Sequence, residues 1–181
     1  RRGRHEETGF LAILMCFSTT ASDGLARTEV LETPRGPVET PVFMPVATQA
    51  SVKALDSDDM RRLGARAILA NSYHLYLRPG AETVRLSGGL HRFMDYEGFI
   101  LTDSGGFQVL SLSDLREIDD EGVTFRSHLD GSKHRLTPES VIRVQAELGS
   151  DGWTTLDECP PYPCGEAAAR PSEAAEQFLD D

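Results

Sequence analysis

The segment Leu101 to Ser111 (LTDSGGFQVLS) leads from a strand-like run into a carboxylate, a hydroxyl, two adjacent glycines and an aromatic ring. That combination suits a planar ligand. Gly105 and Gly106 let such a ligand approach the backbone where a Cβ would collide, Phe107 can stack on its face, and the Asp103 carboxylate can reach its edge. The spacing matches neither of the Gly-rich loops that cradle nucleotide phosphates. A second carboxylate, Asp157, follows another strand-like run, Gly152 to Leu156. The alternative for both aspartates is to cap the helices that follow their strands.

The elements that must position these groups alternate strand with helix, the mark of βα units around a parallel sheet. Strands are expected at Val42 to Val46, Arg66 to Ala70, Gly98 to Thr102 and Gly152 to Leu156. Gln49, Asn71, Asp103 and Asp157 then fall at or just past four successive C-terminal strand ends, the functional face of an α/β barrel. Ser57 is expected to cap a short helix stopped by Gly64, and Pro79-Gly80 to open one that runs to Gly88-Gly89. Between Val123 and Leu136 two alternating runs flank Asp130-Gly131, which predicts a β-hairpin with a tight turn interrupting the rhythm. Thr137-Pro138 starts a helix with Val141, Val144 and Leu148 on one face, ended by Gly149.

The chain has 181 residues, fewer than the roughly 250 of a complete eight-stranded α/β barrel. Its net charge of -11 argues against nucleic acid when taken alone, because phosphate binding runs on Lys and Arg. Charge is better read by region, however, and a basic surface can sit elsewhere in sequence. Cys16, Cys159 and Cys164 form no even framework, which predicts a reducing cytoplasm rather than a disulfide-stapled secreted domain. Cys159 and Cys164 also lack the two-residue gap of a zinc site. The run FLAILMCF (10 to 17) imitates a signal-peptide core, but Glu6 and Glu7 break the basic region before it, and no cleavage site follows. No apolar stretch is long enough for a bilayer.

The segment TDSGGFQ, taken with TPVFMPV (40 to 46), ANSYHLYLRPG (70 to 80), SGGLHRFM (87 to 94), EGVTFRSHLDGS (121 to 132), ELGSD (147 to 151) and LDECPPYP (156 to 163), closely resembles tRNA-guanine transglycosylases of the bacterial queuosine type. The likeness runs collinearly from about Phe17 to Tyr162. It implies a TIM (β/α)8 barrel, of which this chain would be the first half with a β-hairpin insertion, so that it reads as truncated. Residues 1–14 read as an added segment and 15–181 as the N-terminal part of the barrel.

The implied activity exchanges guanine in a tRNA anticodon for a 7-deazaguanine base through a covalent enzyme–RNA intermediate. The resemblance makes Asp103 the general acid/base, places Ser104, Gly105, Gly106 and Phe107 around the base, and gives Asp157 the guanine edge, where one carboxylate can accept from both N1–H and the exocyclic amine. Retention at an N-glycosidic bond calls for a nucleophilic carboxylate as well as a proton donor. The family's nucleophile, and its structural zinc on three cysteines and a histidine, belong to segments without a counterpart here, so no cofactor is expected in this chain. The implied partners are tRNA, guanine or deazaguanine, and a second subunit, as a homodimer or otherwise. A non-catalytic accessory subunit or fragment, and an archaeosine-type relative, are the alternatives. His74 and His91 read as structural hydrogen-bonders and His5, His128 and His134 as scattered. Two departures stand out: Trp153 replaces an aliphatic residue where it would strain the barrel interior, and the acidic SEAAEQFLDD stands in place of a basic helix.

Overall fold

A computed structural model describes residues 15–112 and 116–157. The chain divides into two compact units at Val42–Phe43. In the first, β1 (Cys16–Asp23), β2 (Ala26–Glu32) and β3 (Val38–Thr40) form an antiparallel sheet in that order. Asp23 pairs with Ala26, so the first hairpin turns on Gly24-Leu25, and a bulge interrupts β1 between Thr19 and Ala21. The Thr-rich strands suit a pleated, solvated surface, and Val38 is the buried residue among them.

The second unit is α/β, built on a four-stranded parallel sheet. In chain order it comprises β4 (Val46–Ala47), α1 (Ser57–Arg62), β5 (Ala67–Ala70), α2 (Ser72–Leu77), α3 (Ala81–Leu86), α4 (Gly89–Met94), β6 (Phe99–Thr102), α5 (Gly106–Leu112), β7 (Arg116–Asp119), β8 (Gly122–Arg126), β9 (Lys133–Leu136), α6 (Pro138–Leu148) and β10 (Gly152–Trp153). The parallel sheet runs β10-β6-β5-β4. Ala47, Ala70, Ile68 and Ile100 bury one face under Met60, Leu75, Val84, Leu90 and Leu148 of the helices. On the opposite face Val46, Leu69 and Leu101 share a row, and Val46 is about half exposed.

Several sequence expectations change. The first expected strand, Val42 to Val46, shifts to Val46–Ala47, and the fourth shortens to Gly152–Trp153. Asp56, not Ser57, caps α1: its side chain accepts from Asp59 N at 2.8 Å, while the Asp59 carboxylate accepts from Asp56 N. Helices α2 and α4 are too short for a periodic pattern to announce them. The hairpin at Asp130-Gly131 is a three-stranded antiparallel sheet, β7-β8-β9, with residues 127–132 as a wider loop. Ser127 N donates to Ser132 O at 2.8 Å and Gly131 N to Ser127 O at 2.9 Å, and these bonds open the turn beyond two residues. Trp153 lies in the register row of Thr102 and Ala70, on the helix side of the sheet rather than the opposite face. Its indole N–H donates to Ser150 O at 3.1 Å.

The expected helix after Thr137-Pro138 is α6, with Thr137 and Ser140 in a reciprocal capping box and Gly149 at the C-cap. The small antiparallel sheet docks on α2 through aromatic pairs. Tyr73 Oη and His128 Nδ1 lie 2.9 Å apart, Tyr76 Oη and His134 Nδ1 3.0 Å, and Phe125 stacks on His134. His128 and His134 are therefore paired groups rather than scattered ones. His5 lies outside the described residues.

A candidate base-binding site at the parallel strand ends

Strand β6 ends at Thr102, and the chain leaves it through Asp103. One carboxylate oxygen accepts from Asn71 Nδ2 at 2.7 Å, the other from Ser72 N at 2.8 Å. Asp103 thus serves the N-terminus of α2, the helix after the neighbouring strand, besides bonding Gln108 of the helix that follows its own. An N-terminal N–H with no partner inside its helix is satisfied in this way.

Burial, the largest influence, pushes the Asp103 carboxyl above the ordinary carboxylate range; the bonds from Ser72 oppose it, and the negative charge of Asp157 adds to the rise. Asn71 Oδ1 and Gln108 Oε1, both buried, have no hydrogen-bond partner among the described residues. Asn71 donates to Asp103, and Gln108 bonds to it as well, so both orphaned acceptors belong to groups that touch this carboxylate.

Ser104 is buried, and its Oγ bridges two segments, donating to Asp157 Oδ1 and accepting from Gly106 N at 3.1 Å. The glycines have packing reasons of their own. Gly105 has φ +81°, and a Cβ there would come within 3.0 Å of Tyr73 Cβ. At Gly106 a Cβ would run into the Asp157 carbonyl oxygen. The chain closes on itself at this pair, so that α5 begins directly against the end of the fourth strand segment.

Asp103, Ser104, Gly106 and Asp157 are thereby brought into one connected group. Asp157 and Gly106 also line a cavity of about 260 Å³ with Val109, Leu110, Val123 and Leu156. Asp103 is not among its lining residues. Neither is Phe107, whose ring is exposed. Asn71 and Gln108 were not among the site residues expected from sequence, although Asn71 stood at a strand end. Gln145 was missed too, and its signal was a polar residue four positions after Val141, on the apolar stripe of α6.

Asp151, the nearest other aspartate in sequence, is occupied at the opposite end of the sheet. It accepts from Ile100 N at 2.9 Å and pairs with His91 Nε2 at 2.9 Å. His74 contributes ring contacts to Tyr73 and His128, and burial lowers its pKa. Among the described residues no three His, Cys, Asp or Glu side chains could hold a metal ion, so the zinc of the resembled family has no fitting site among them. Cys159 and Cys164 lie outside the described residues.

The fold and the site define a class: an α/β protein with a partly buried carboxyl of raised pKa at the C-terminal end of a parallel strand, and a second carboxylate, beyond the end of the adjacent strand, that accepts from the serine following the first. A family profile described as queuine tRNA-ribosyltransferase matches residues 22–180. The chain is 64% identical over 145 residues to the queuine tRNA-ribosyltransferase of Desulforudis audaxviator, covering 80% of this chain and 39% of that protein. It is 61% identical over 138 residues to that of Thermoanaerobacter sp. (76% and 37%), and 56% identical over 156 residues to that of Cereibacter sphaeroides (86% and 42%). The chain belongs to the queuine tRNA-ribosyltransferase family, and it spans about two fifths of the length of these relatives.

Proposed function

We propose that the protein acts as a tRNA-guanine transglycosylase of the queuosine type, in the cytoplasm, exchanging guanine in the anticodon for a 7-deazaguanine base on a TIM-barrel scaffold. The parallel sheet supplies the first four strands of that barrel. Residues 1–14 lie outside the catalytic part. The full reaction proceeds with retention: a nucleophilic carboxylate attacks the sugar carbon as the bond to guanine breaks, and the incoming base reverses the step. Asp103 donates the proton that the departing base requires and takes one back from the base that replaces it.

The observation that carries this reading is the partly buried Asp103 carboxyl, its pKa raised, beside the Asp157 carboxylate that Ser104 holds. A general acid works when its pKa is lifted toward the working pH, and burial together with the charge of Asp157 lifts that of Asp103. Asp157 is exposed and lines the cavity, and its carboxylate accepts from the N1–H and amine edge of guanine. The orphaned oxygens of Asn71 and Gln108 offer further acceptors to a donor-rich ligand. Phe107, exposed at the start of α5, covers the base once it is seated.

In the intact protein, Asp103→Ala is expected to abolish incorporation of labelled guanine into tRNA. Asp157→Asn turns an acceptor into a donor facing the donors of the base, a mismatch worth roughly 1–3 kcal/mol, or about one to two decades in affinity. Calorimetry reads it directly, and unchanged guanine affinity would remove Asp157 from the site.

A further inference from the structure

We infer that Gln145 of α6 is a positioning residue that sets where Asp103 and Asp157 stand relative to one another; the inference rests on the guanine-pocket reading above. Gln145 is fully buried on the apolar side of its helix, between Val141 and Leu148. A primary amide in such a place is costly unless each polar atom is satisfied, and here each is. Nε2 donates to Thr154 O at 2.8 Å, and Oε1 accepts from Thr154 N at 3.1 Å and from Thr102 Oγ1 at 2.8 Å.

The bonds to Thr154 are those that a neighbouring strand would make. The ladder between β6 and β10 ends at the pair Trp153–Thr102, and Thr154, one residue further, finds both of its backbone partners on the Gln145 side chain. With the Thr102 hydroxyl proton given to Gln145, the Ser150 hydroxyl donates to Thr102 Oγ1 at 2.7 Å, and Thr154 Oγ1 closes the ring on Thr102 O at 3.3 Å. Thr102 immediately precedes Asp103, and Thr154 lies three residues before Asp157. A single amide therefore clasps the two peptide segments from which the two carboxylates hang. The Ser104–Asp157 bond and the influence of Asp157 on Asp103 both depend on the spacing it maintains.

Guanine binding by the intact protein tests this, with Gln145→Met, Gln145→Glu and, as a control, Val84→Ala, which hollows the helical core. Gln145→Met keeps the shape but makes none of the bonds, and its dissociation constant for guanine is expected to rise about tenfold. Val84→Ala, compared well below its melting temperature, is expected to bind as the wild type does. Gln145→Glu is expected to approach wild-type affinity as pH falls, judged by the ratio to wild type at each pH, because a protonated carboxyl again offers one donor and one acceptor. If Gln145→Met does not fold, that pH-dependent ratio carries the test. Wild-type affinity in Gln145→Met, an equal loss in Val84→Ala, or a ratio independent of pH overturns the inference. A wild-type protein that binds no guanine removes the functional reading, and this inference with it.

Discussion

At the scale of single residues, Asp103 is held between opposed influences, and its titration reports on all of them. Burial raises its pKa first, the Ser72 bonds pull it down, and the charge of Asp157 raises it again. Asp157→Asn removes that charge and should move the Asp103 titration to lower pH, which carboxyl-carbon NMR can follow; an unmoved titration means that the two groups are not coupled. Because the folded-state value lies above the unfolded one, the folded protein holds this proton more tightly. The resulting stability is fully present below the ordinary carboxylate pKa and is lost as pH rises through the folded value. Asp103→Ala should therefore flatten the decline in Tm between acid and neutral pH, whereas a curve parallel to wild type would contradict the raised value.

At the scale of elements, two short sequence devices anchor the site. The first is Gly106, where α5 starts against the Asp157 carbonyl. Gly106→Ala must push that backbone aside, a steric conflict costing about 1–3 kcal/mol in denaturant unfolding. Loss of guanine affinity should accompany it, because the displaced residue is the one proposed above to read the base. The second is the cap of α6: Thr137 Oγ1 accepts from Ser140 N at 3.3 Å and Ser140 Oγ from Thr137 N at 2.8 Å. Thr137→Ala is expected to cost about 1 kcal/mol, read as a lower urea midpoint at unchanged slope. An unchanged midpoint would mean that packing alone holds α6.

At the scale of the molecule, the second unit covers one face of its parallel sheet with helices, whereas Phe43 and Val46 remain largely exposed. Strands β4 and β10 are the outer members of the sheet, and each presents an edge without a partner strand among the described residues. Edges and apolar rows of this kind invite pairing. Residues 1–181 produced by themselves are expected to self-associate, with a mass above one chain by light scattering; a monomer at every concentration would count against it. The same material should not exchange labelled guanine into tRNA, since Asp151, the nearest other aspartate in sequence, is engaged with His91 and Ile100. Incorporation above a no-enzyme control that Asp103→Ala abolishes would show a nucleophile within these residues.

Local chemistry made much of this legible in the amino-acid order alone. Turn residues, capping boxes and apolar runs act over a few positions, so the parallel strand end carrying Asp103, and α6 from its Thr-Pro start to its Gly149 stop, could be read directly. What the tertiary structure decided are contacts whose partners lie far apart in sequence. Asp103 answers to Asn71 and Ser72, 32 and 31 residues away, as well as to Gln108 of the helix beside it. Ser104 reaches Asp157 across 53 residues, and Tyr73 reaches His128 across 55. Gln145 looked like an interruption of an apolar stripe until Thr102 and Thr154 came against it. No periodicity encodes such pairs, because a hydrogen bond is chosen by which backbone and side-chain atoms the folded path brings within 3 Å or so of each other, and only the packed chain sets that path.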